Sequence, residues 1–296
     1  MPELPEVETV RTGLEKAWLG RTISKVILRR PNLRYPFPED FENRLVGQKI
    51  IAIRRRAKYL LIDTDGDLVF LSHLGMSGKY TIFDTQKVSH YDLNIPDSKS
   101  AFGAMSGFDG RHDHMEIRFD DGSVSVYTDP RRFGIVKLFH RAEQEIQPLL
   151  SVLGPEPFES RFNLEYIISY FKGKKKNIKN YLLDQNFVSG IGNIYASEIL
   201  FLSKINPYKK VNLLKIDDYK KLIMNSRKIL DIAIKKGGSS IKDFKNTSGK
   251  KGSFQKNFKV YEREGLKCKR IKCNGIIQKK IVSNRSTFFC NFCQNN

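Results

Sequence analysis

The residues with the clearest chemical potential stand at the two ends of the chain. At the start, M-P-E-L-P-E-V-E puts Pro2 beside the carboxylates Glu3 and Glu6. Removal of Met1 exposes Pro2 as a secondary amine. Such an amine adds to a carbonyl or acetal-like carbon to give an iminium ion, which stays positively charged without a proton and acts as an electron sink. An unperturbed terminal amine titrates at roughly 7.7 to 8.0, so on the order of a tenth is free base at neutral pH. Glu3 and Glu6 are candidates to move that proton or to give one to a leaving group. The same residues also read as a plain helix start, with proline in the first turn and acidic side chains that suit the helix dipole. On these eight residues alone both readings stand.

At the other end, all four cysteines lie in the final 29 residues, Cys268 and Cys273 as C-x4-C and Cys290 and Cys293 as C-x2-C, with 16 residues between the pairs. Paired knuckles of this kind let four thiolates converge tetrahedrally on one zinc ion at about 2.3 Å each. The intervening G-I-I-Q-K-K-I-V-S-N-R-S-T-F-F-C is apolar enough for two strands. The expectation is a zinc-ribbon hairpin holding one structural Zn2+, closed by four protein ligands. A segment this short buries too little core to fold alone, so metal binding supplies most of its folding free energy. Two disulfides are the alternative, disfavoured in a reducing cytoplasm.

The elements that must position these groups change character along the chain. After an expected helix from about Glu6 to Ala17, the first half reads as short apolar or alternating runs such as T-I-S-K-V-I-L, K-Y-L-L-I-D and D-L-V-F-L-S-H-L. In H-M-E-I-R-F-D-D-G-S-V-S-V-Y, Met115, Ile117 and Phe119 alternate with polar residues and Asp121-Gly122 supplies a hairpin turn. Many short strands point to a β-sandwich or barrel. From about Thr85 to Gly110 the pattern lapses into a surface loop. Two prolines in L-G-P-E-P-F mark a boundary, after which helical periodicity covers Leu164 to Phe171, Ile178 to Asp184, Ile194 to Leu202 and Asp217 to Lys235. The expected division is a domain over 1–152, a helical domain over 153–260 with a basic Gly/Ser/Lys loop at about 237–254, and a ribbon over 261–296.

Charge separates the same halves. Residues 1 to 160 hold 22 Lys+Arg against 23 Asp+Glu, whereas residues 161 to 296 hold 30 against 9. A codon bias toward lysine would act on both halves, so the asymmetry points to a polyanionic partner for the second, nucleic acid ahead of an anionic membrane surface. No run of 18 apolar residues and no basic-then-apolar leader argues for a membrane span or secretion, and the expected location is the cytoplasm.

With these features in hand, the chain resembles the bacterial formamidopyrimidine-DNA glycosylases. The resemblance is carried by P-E-L-P-E-V-E at 2–8, R-R-A-K-Y-L-L at 55–61, H-L-G-M-S-G at 73–78 and H-D-H at 112–114. It continues through T-D-P-R-R-F-G at 128–134, G-I-G-N-I-Y-A-S-E at 190–198 and R-S-T-F-F-C at 285–290. It implies an α+β multidomain chain: an N-terminal β-sandwich with a leading helix, a helix-two-turn-helix domain and a C-terminal zinc ribbon. It further implies a monomeric bacterial enzyme, cytoplasmic and nucleoid-associated. Such an enzyme removes oxidised purines such as 8-oxoguanine and formamidopyrimidines from double-stranded DNA and then nicks the strand by β,δ-elimination.

The target nucleotide must leave the stack for its sugar to be reached. The resemblance makes Pro2 the nucleophile at C1′, Glu3 the proton-transfer group, Lys58 a β-elimination and phosphate residue, and Arg285 a δ-elimination and phosphate residue. Met76, Arg131 and Phe133 match the side chains that fill the hole left by the extruded nucleotide, a task that suits an apolar wedge, an arginine and an aromatic ring. From pattern alone Met76 and Phe133 read as core residues, and Lys58 as a solvated strand edge. His112, Lys174, Lys175 and Asn193 match phosphate contacts, which position a duplex without reading its sequence.

The chain departs from the family in its long 85–110 loop, its C-x4-C knuckle and G-K-K-G-S-F where many relatives have G-K-P-G-Y-F. Two other readings are the related endonuclease VIII type, against which Leu4 speaks, and a non-catalytic DNA-binding protein, which would need neither Pro2, Glu3 nor Lys58.

Overall fold

The computed structural model describes residues 1–84, 110–239, 247, 252–282 and 284–295. The expectations for the 85–110 loop and for most of the 237–254 loop therefore lie outside the described residues. The chain divides into two compact units, Met1–Leu150 with Ser239–Gly252, and Ser151–Gly238 with Ser253–Asn296.

The first unit opens with helix α1 (Leu4–Trp18), adds the short helix α2 (Phe41–Leu45) and contains two four-stranded sheets. One orders β1 (Ile23–Leu28), β6 (Asp113–Phe119), β7 (Val124–Thr128) and β5 (Lys79–Phe83); the other orders β2 (Ile50–Arg56), β3 (Tyr59–Thr64), β4 (Leu68–His73) and β8 (Ile135–His140). All the pairings are antiparallel. The hairpin at Asp121-Gly122 forms as its alternation requires, with Gly122 at φ 79°. Met115, Ile117 and Phe119 from one sheet share a buried cluster with Leu60, Ile62 and Phe70 from the other, and α1 adds Val7, Val10, Leu14 and Trp18 at its usual helical spacing. Trp18 Nε1–H donates to Ser125 Oγ at 2.7 Å, so the largest side chain is buried with its polar edge satisfied. This sandwich fixes α1, and with it the chain start.

The second unit carries helices α3 (Leu164–Phe171), α4 (Ile178–Leu183), α5 (Asn193–Ser203) and α6 (Ile216–Lys235), then the hairpin β9 (Ile277–Val282) and β10 (Arg285–Cys290). Helix α5 is apolar nearly all round and is buried accordingly. It carries one buried charge, Glu198, whose carboxylate accepts from the backbone N–H groups of Lys259, Val260 and Tyr261 at 2.9 to 3.0 Å. The cysteine hairpin, read from sequence as a segment of its own, packs with these helices: Phe201 shares a cluster with Val260, Ile277, Phe288 and Cys290. Gln294 Nε2–H also donates to the Ile205 carbonyl at 2.9 Å.

Candidate active site and nucleic-acid interface

Glu3 is the N-cap of α1, and its backbone N–H donates to Glu6 Oε2 at 2.9 Å in a reciprocal capping box. This device satisfies helix-end donors and stabilises a helix by about 1 kcal/mol. The second Glu6 oxygen accepts from Ser239 N–H at 2.6 Å and Ser239 Oγ–H at 2.9 Å. Both oxygens of Glu6 are thus engaged, and Glu6 works as an anchor. Pro2 and Glu3 are buried beside it. In the unprocessed chain Pro2 nitrogen is an amide, and the amine belongs to Met1. Burial holds that amine below its ordinary value; Glu3 and Glu6 oppose the shift, and Lys58 and Arg131 add to it. Those four side chains therefore share one electrostatic neighbourhood at the chain start.

Lys58 sits in the turn from β2 to β3 and is only 6% exposed, unlike a solvated edge residue. Ala57 before it takes the left-handed conformation at φ 53°. Arg55 holds the turn on α1: its guanidinium donates to the Ala57 carbonyl at 3.0 Å and to Glu8 Oε2 at 2.7 Å. Burial alone would raise the Glu8 carboxyl, but Arg11 and Arg55 outweigh it and hold it below the usual carboxylate range. His73, at the end of β4 and paired with Tyr59, is pushed down to about 4 by burial, then by Lys58 and Arg34. Its neutral Nδ1 accepts from Gly75 N–H at 3.0 Å.

Met76, Arg131 and Phe133 lie on two loops of the same unit. Phe133 is 44% exposed with the Arg131 guanidinium 5.1 Å from its ring centroid, and Met76 is half-buried. The pattern-based expectation of a core Phe133 is corrected here. Its backbone is what packs, since a Cβ on Gly75 would come within 2.3 Å of the Phe133 carbonyl carbon, and this leaves the ring at the surface. His112 is half-buried, and its carbonyl accepts from Asp129 N–H at 2.9 Å.

In the second unit, Asn193 opens α5 after a turn pinned by Gln185, which accepts from Gly190 N–H at 2.8 Å and donates to the Ile191 carbonyl at 2.9 Å. The Asn193 amide donates to the Ser286 carbonyl at 2.9 Å. Lys179, fully buried in α4, donates to the same carbonyl at 3.2 Å and to Thr287 Oγ1 at 2.6 Å. Arg285, exposed at the hairpin tip beside Ser286, is therefore mounted on a strand held from two helices. Lys174 stacks on Tyr170, with Nζ 3.1 Å from the ring centroid, while Lys175 is exposed.

The four cysteines are free thiols whose sulfur atoms all lie within 4.8 Å of one another, with Cys268 to Cys293 at 3.9 Å and Cys273 to Cys290 at 3.6 Å. These separations are too long for disulfides and suit four ligands around one metal ion. The longer first knuckle closes with Lys272 at φ 59°, and Arg270 N–H meets Cys268 Sγ at 3.4 Å. Gly275 leaves room for the cluster, since a Cβ there would lie 2.5 Å from Cys290 Sγ.

Sequence reasoning missed Asp129, Arg55, His73, Gln185, Lys179 and Glu198. Asp129, Arg55, His73 and Glu198 fall inside the quoted motifs, but each has a partner remote in sequence. A charged or amide side chain embedded in an otherwise apolar run, as Glu198 is in I-Y-A-S-E-I-L-F, was the available signal.

Residues 1–136 match the family model described as the formamidopyrimidine-DNA glycosylase N-terminal domain, and residues 153–245 the one described as the formamidopyrimidine-DNA glycosylase H2TH domain. The formamidopyrimidine-DNA glycosylase of Ruegeria pomeroyi is 40% identical over 294 residues, covering 99% of this chain and 100% of the relative. That of Azorhizobium caulinodans is 42% identical over 300 residues, with 99% and 100% covered. The crystal structure of a Lactococcus lactis FPG mutant in complex with a Fapy-dG containing DNA superposes with a TM-score of 0.85 at 36% identity, covering 100% of both chains. The chain belongs to the formamidopyrimidine-DNA glycosylase family.

Proposed function

We propose that this protein excises oxidised purines, 8-oxoguanine and formamidopyrimidines, from duplex DNA and cleaves the resulting site through an iminium intermediate on Pro2. The observation that supports this reading is geometric: Pro2, Glu3 and Lys58 are buried, and Glu3, Glu6, Lys58 and Arg131 all lie close enough to act on the Met1 amine one residue ahead of Pro2.

Once Met1 is removed, the Pro2 lone pair forms a bond to C1′ as the base departs with the glycosidic electron pair and takes a proton from solvent, and the proton on the Pro2 nitrogen passes to Glu3. The nitrogen then pushes open the sugar as the C1′–O4′ bond breaks, Glu3 gives O4′ its proton, and the iminium results. Loss of a C2′ proton lets the 3′ phosphate leave with the C3′–O electrons. A second elimination releases the 5′ phosphate, and water hydrolyses the iminium. We assign Lys58 to the first elimination and Arg285 to the second, with His112, Lys174, Lys175 and Asn193 holding backbone phosphates. Met76, Arg131 and Phe133 fill the vacated space. Glu6, with both oxygens engaged, positions the helix start.

For the cysteine cluster we propose zinc. Bonds of about 2.3 Å in a tetrahedron give sulfur separations of about 3.8 Å, and the observed 3.6 and 3.9 Å bracket that value. All the proposed residues lie on one chain, so a monomer suffices. Among the described residues no helix is long and apolar enough to cross a membrane.

The test is excision from duplexes carrying 8-oxoguanine, a ring-opened purine or an oxidised pyrimidine, each opposite cytosine. The purine lesions should be cut fastest and leave a one-nucleotide gap with phosphate at both ends. Faster excision of the pyrimidine would overturn the substrate assignment, and products carrying a sugar remnant would remove the second elimination.

A further inference from the structure

The two loops that carry Met76, Arg131 and Phe133 hang from one carboxylate. Asp129 is fully buried, at 0% exposure. Its Oδ1 accepts from Ser77 Oγ–H at 2.5 Å and its Oδ2 from Gly134 N–H at 2.8 Å, with Tyr127 OH at 3.4 Å from the same oxygen. Ser77 Oγ in turn accepts from the backbone N–H of Arg131 at 3.1 Å. The Asp129 main chain adds three more bonds: its N–H donates to the His112 carbonyl at 2.9 Å, and its carbonyl accepts from Arg132 N–H at 3.1 Å and His114 Nε2–H at 2.8 Å. The neighbour of Met76, the neighbour of Phe133 and the backbone of Arg131 are therefore tied through two side chains.

Burying a carboxylate is costly unless every oxygen is hydrogen-bonded, and here both are. The chemistry of the clamp requires a carboxylate. Three donors converge on Asp129, whereas an asparagine offers one acceptor oxygen and an N–H2 group that would face another donor. The steric side agrees, since Gly75 at φ 59° packs its backbone on Phe133 and Gly134, and a Cβ there would come within 2.3 Å of Phe133.

We infer that Asp129 and Ser77 are positioning residues for lesion recognition, holding Met76, Arg131 and Phe133 in one geometry before the duplex arrives. Filling the place of an extruded nucleotide then needs no reorganisation of the two loops. The inference rests on the reading of those three residues given above. Asp129 has no exposed surface and acts through the loops it ties, and Ser77 acts through its bonds to Asp129 and to the Arg131 backbone.

The experiment compares Ser77→Ala, Ser77→Thr and Asp129→Asn with the wild-type protein. Insertion is followed by stopped-flow fluorescence of 2-aminopurine placed beside 8-oxoguanine in a duplex, and excision rates are measured with cytosine and with adenine opposite the lesion. Lyase turnover on a single-stranded oligonucleotide with a preformed abasic site reports on Pro2 where no orphaned base exists. Ser77→Ala should slow insertion about tenfold and compress the cytosine-to-adenine ratio at least roughly threefold, less than the roughly hundredfold that a full 1 Å misplacement can cost. Ser77→Thr keeps the hydroxyl and should restore both, and Asp129→Asn should exceed Ser77→Ala. Wild-type insertion rates and ratios in Ser77→Ala overturn the inference even if Asp129→Asn fails to fold. A wild-type protein inactive on every lesion duplex sinks the underlying reading and this inference with it, whereas an active wild type with unchanged variants sinks this inference alone.

Discussion

At the chain start the proposed reacting groups are fixed by polar contacts laid over a large apolar core; at the cysteine cluster the core is small and the four thiols converge, placed to hold a metal ion. Glu3 and Glu6 cap α1, Glu8 and Arg55 clasp the Lys58 turn to it, and Val7, Val10, Leu14 and Trp18 anchor the helix in the sandwich. Among the described residues, the ribbon has Phe201, Val260, Ile277 and Phe288 buried around its sulfur atoms, with Leu202 and Tyr261 half-buried against them. Where apolar burial is ample, chemistry can be placed at its edge by hydrogen bonds worth about 1 kcal/mol each. Where it is scarce, a metal must close the structure, and neighbouring helices must share their core with it.

The largest effect is expected from removing the zinc proposed for the four cysteines. Chelation, or Cys290→Ser, should lower DNA affinity at least roughly a hundredfold, because ordering of the Arg285 hairpin depends on the ligated cluster. Near-ultraviolet circular dichroism should show the sandwich, with Trp18 at its centre, unchanged. An undiminished affinity would count against a DNA-contacting ribbon. Next comes Glu198→Ala, which strips three backbone N–H groups, that of Val260 buried, of their acceptor and should destabilise the second unit by about 2 kcal/mol, read as a shift in its urea midpoint. No shift would mean that those donors find other partners.

The polar character of the first unit can be sharpened by pH. The unfolded chain protonates His73 near its ordinary 6.5, while the folded chain resists protonation until about 4. Stability from this group is complete above 6.5 and is lost as pH falls toward 4; between pH 7.5 and 5 the loss is about 2 kcal/mol. His73→Gln should remove that part of the pH dependence in denaturant titrations, and an unaltered dependence would contradict the burial of a neutral imidazole. The smallest effect is expected from Lys175→Ala, which should reduce the slope of log affinity against log salt by about 1 without changing preference among sequences. A slope equal to that of the wild-type protein would remove Lys175 from the phosphate contacts.

Local signals made much of this legible. The strand alternation around Met115, the helical spacing in α3 to α6 and the paired cysteines are properties of a few adjacent residues, and the structure carries each of them. Contacts remote in sequence were not legible. Ser77 and Asp129 are 52 residues apart, and Glu198 and Val260 are 62 apart. A single sequence says nothing of such pairs until the fold brings them together. Phe133 shows the opposite error, since an aromatic residue beside β8 reads as core when packing of its own backbone on Gly75 turns it outward. The short strand β5 carries little signal of its own, because K-Y-T-I-F runs straight into a sequence without periodicity.

The central claim is that the amine of Pro2 forms the covalent intermediate. Protein shown by intact mass to lack Met1 and to contain its metal is incubated with a duplex carrying 8-oxoguanine opposite cytosine, reduced with borohydride, and the cross-linked peptide is mapped. A reduced adduct on Pro2, absent from a Pro2→Gly variant that still binds the duplex, is the expected result. An adduct on Lys58 or another amine, or strand cleavage with no adduct at all, would contradict the account.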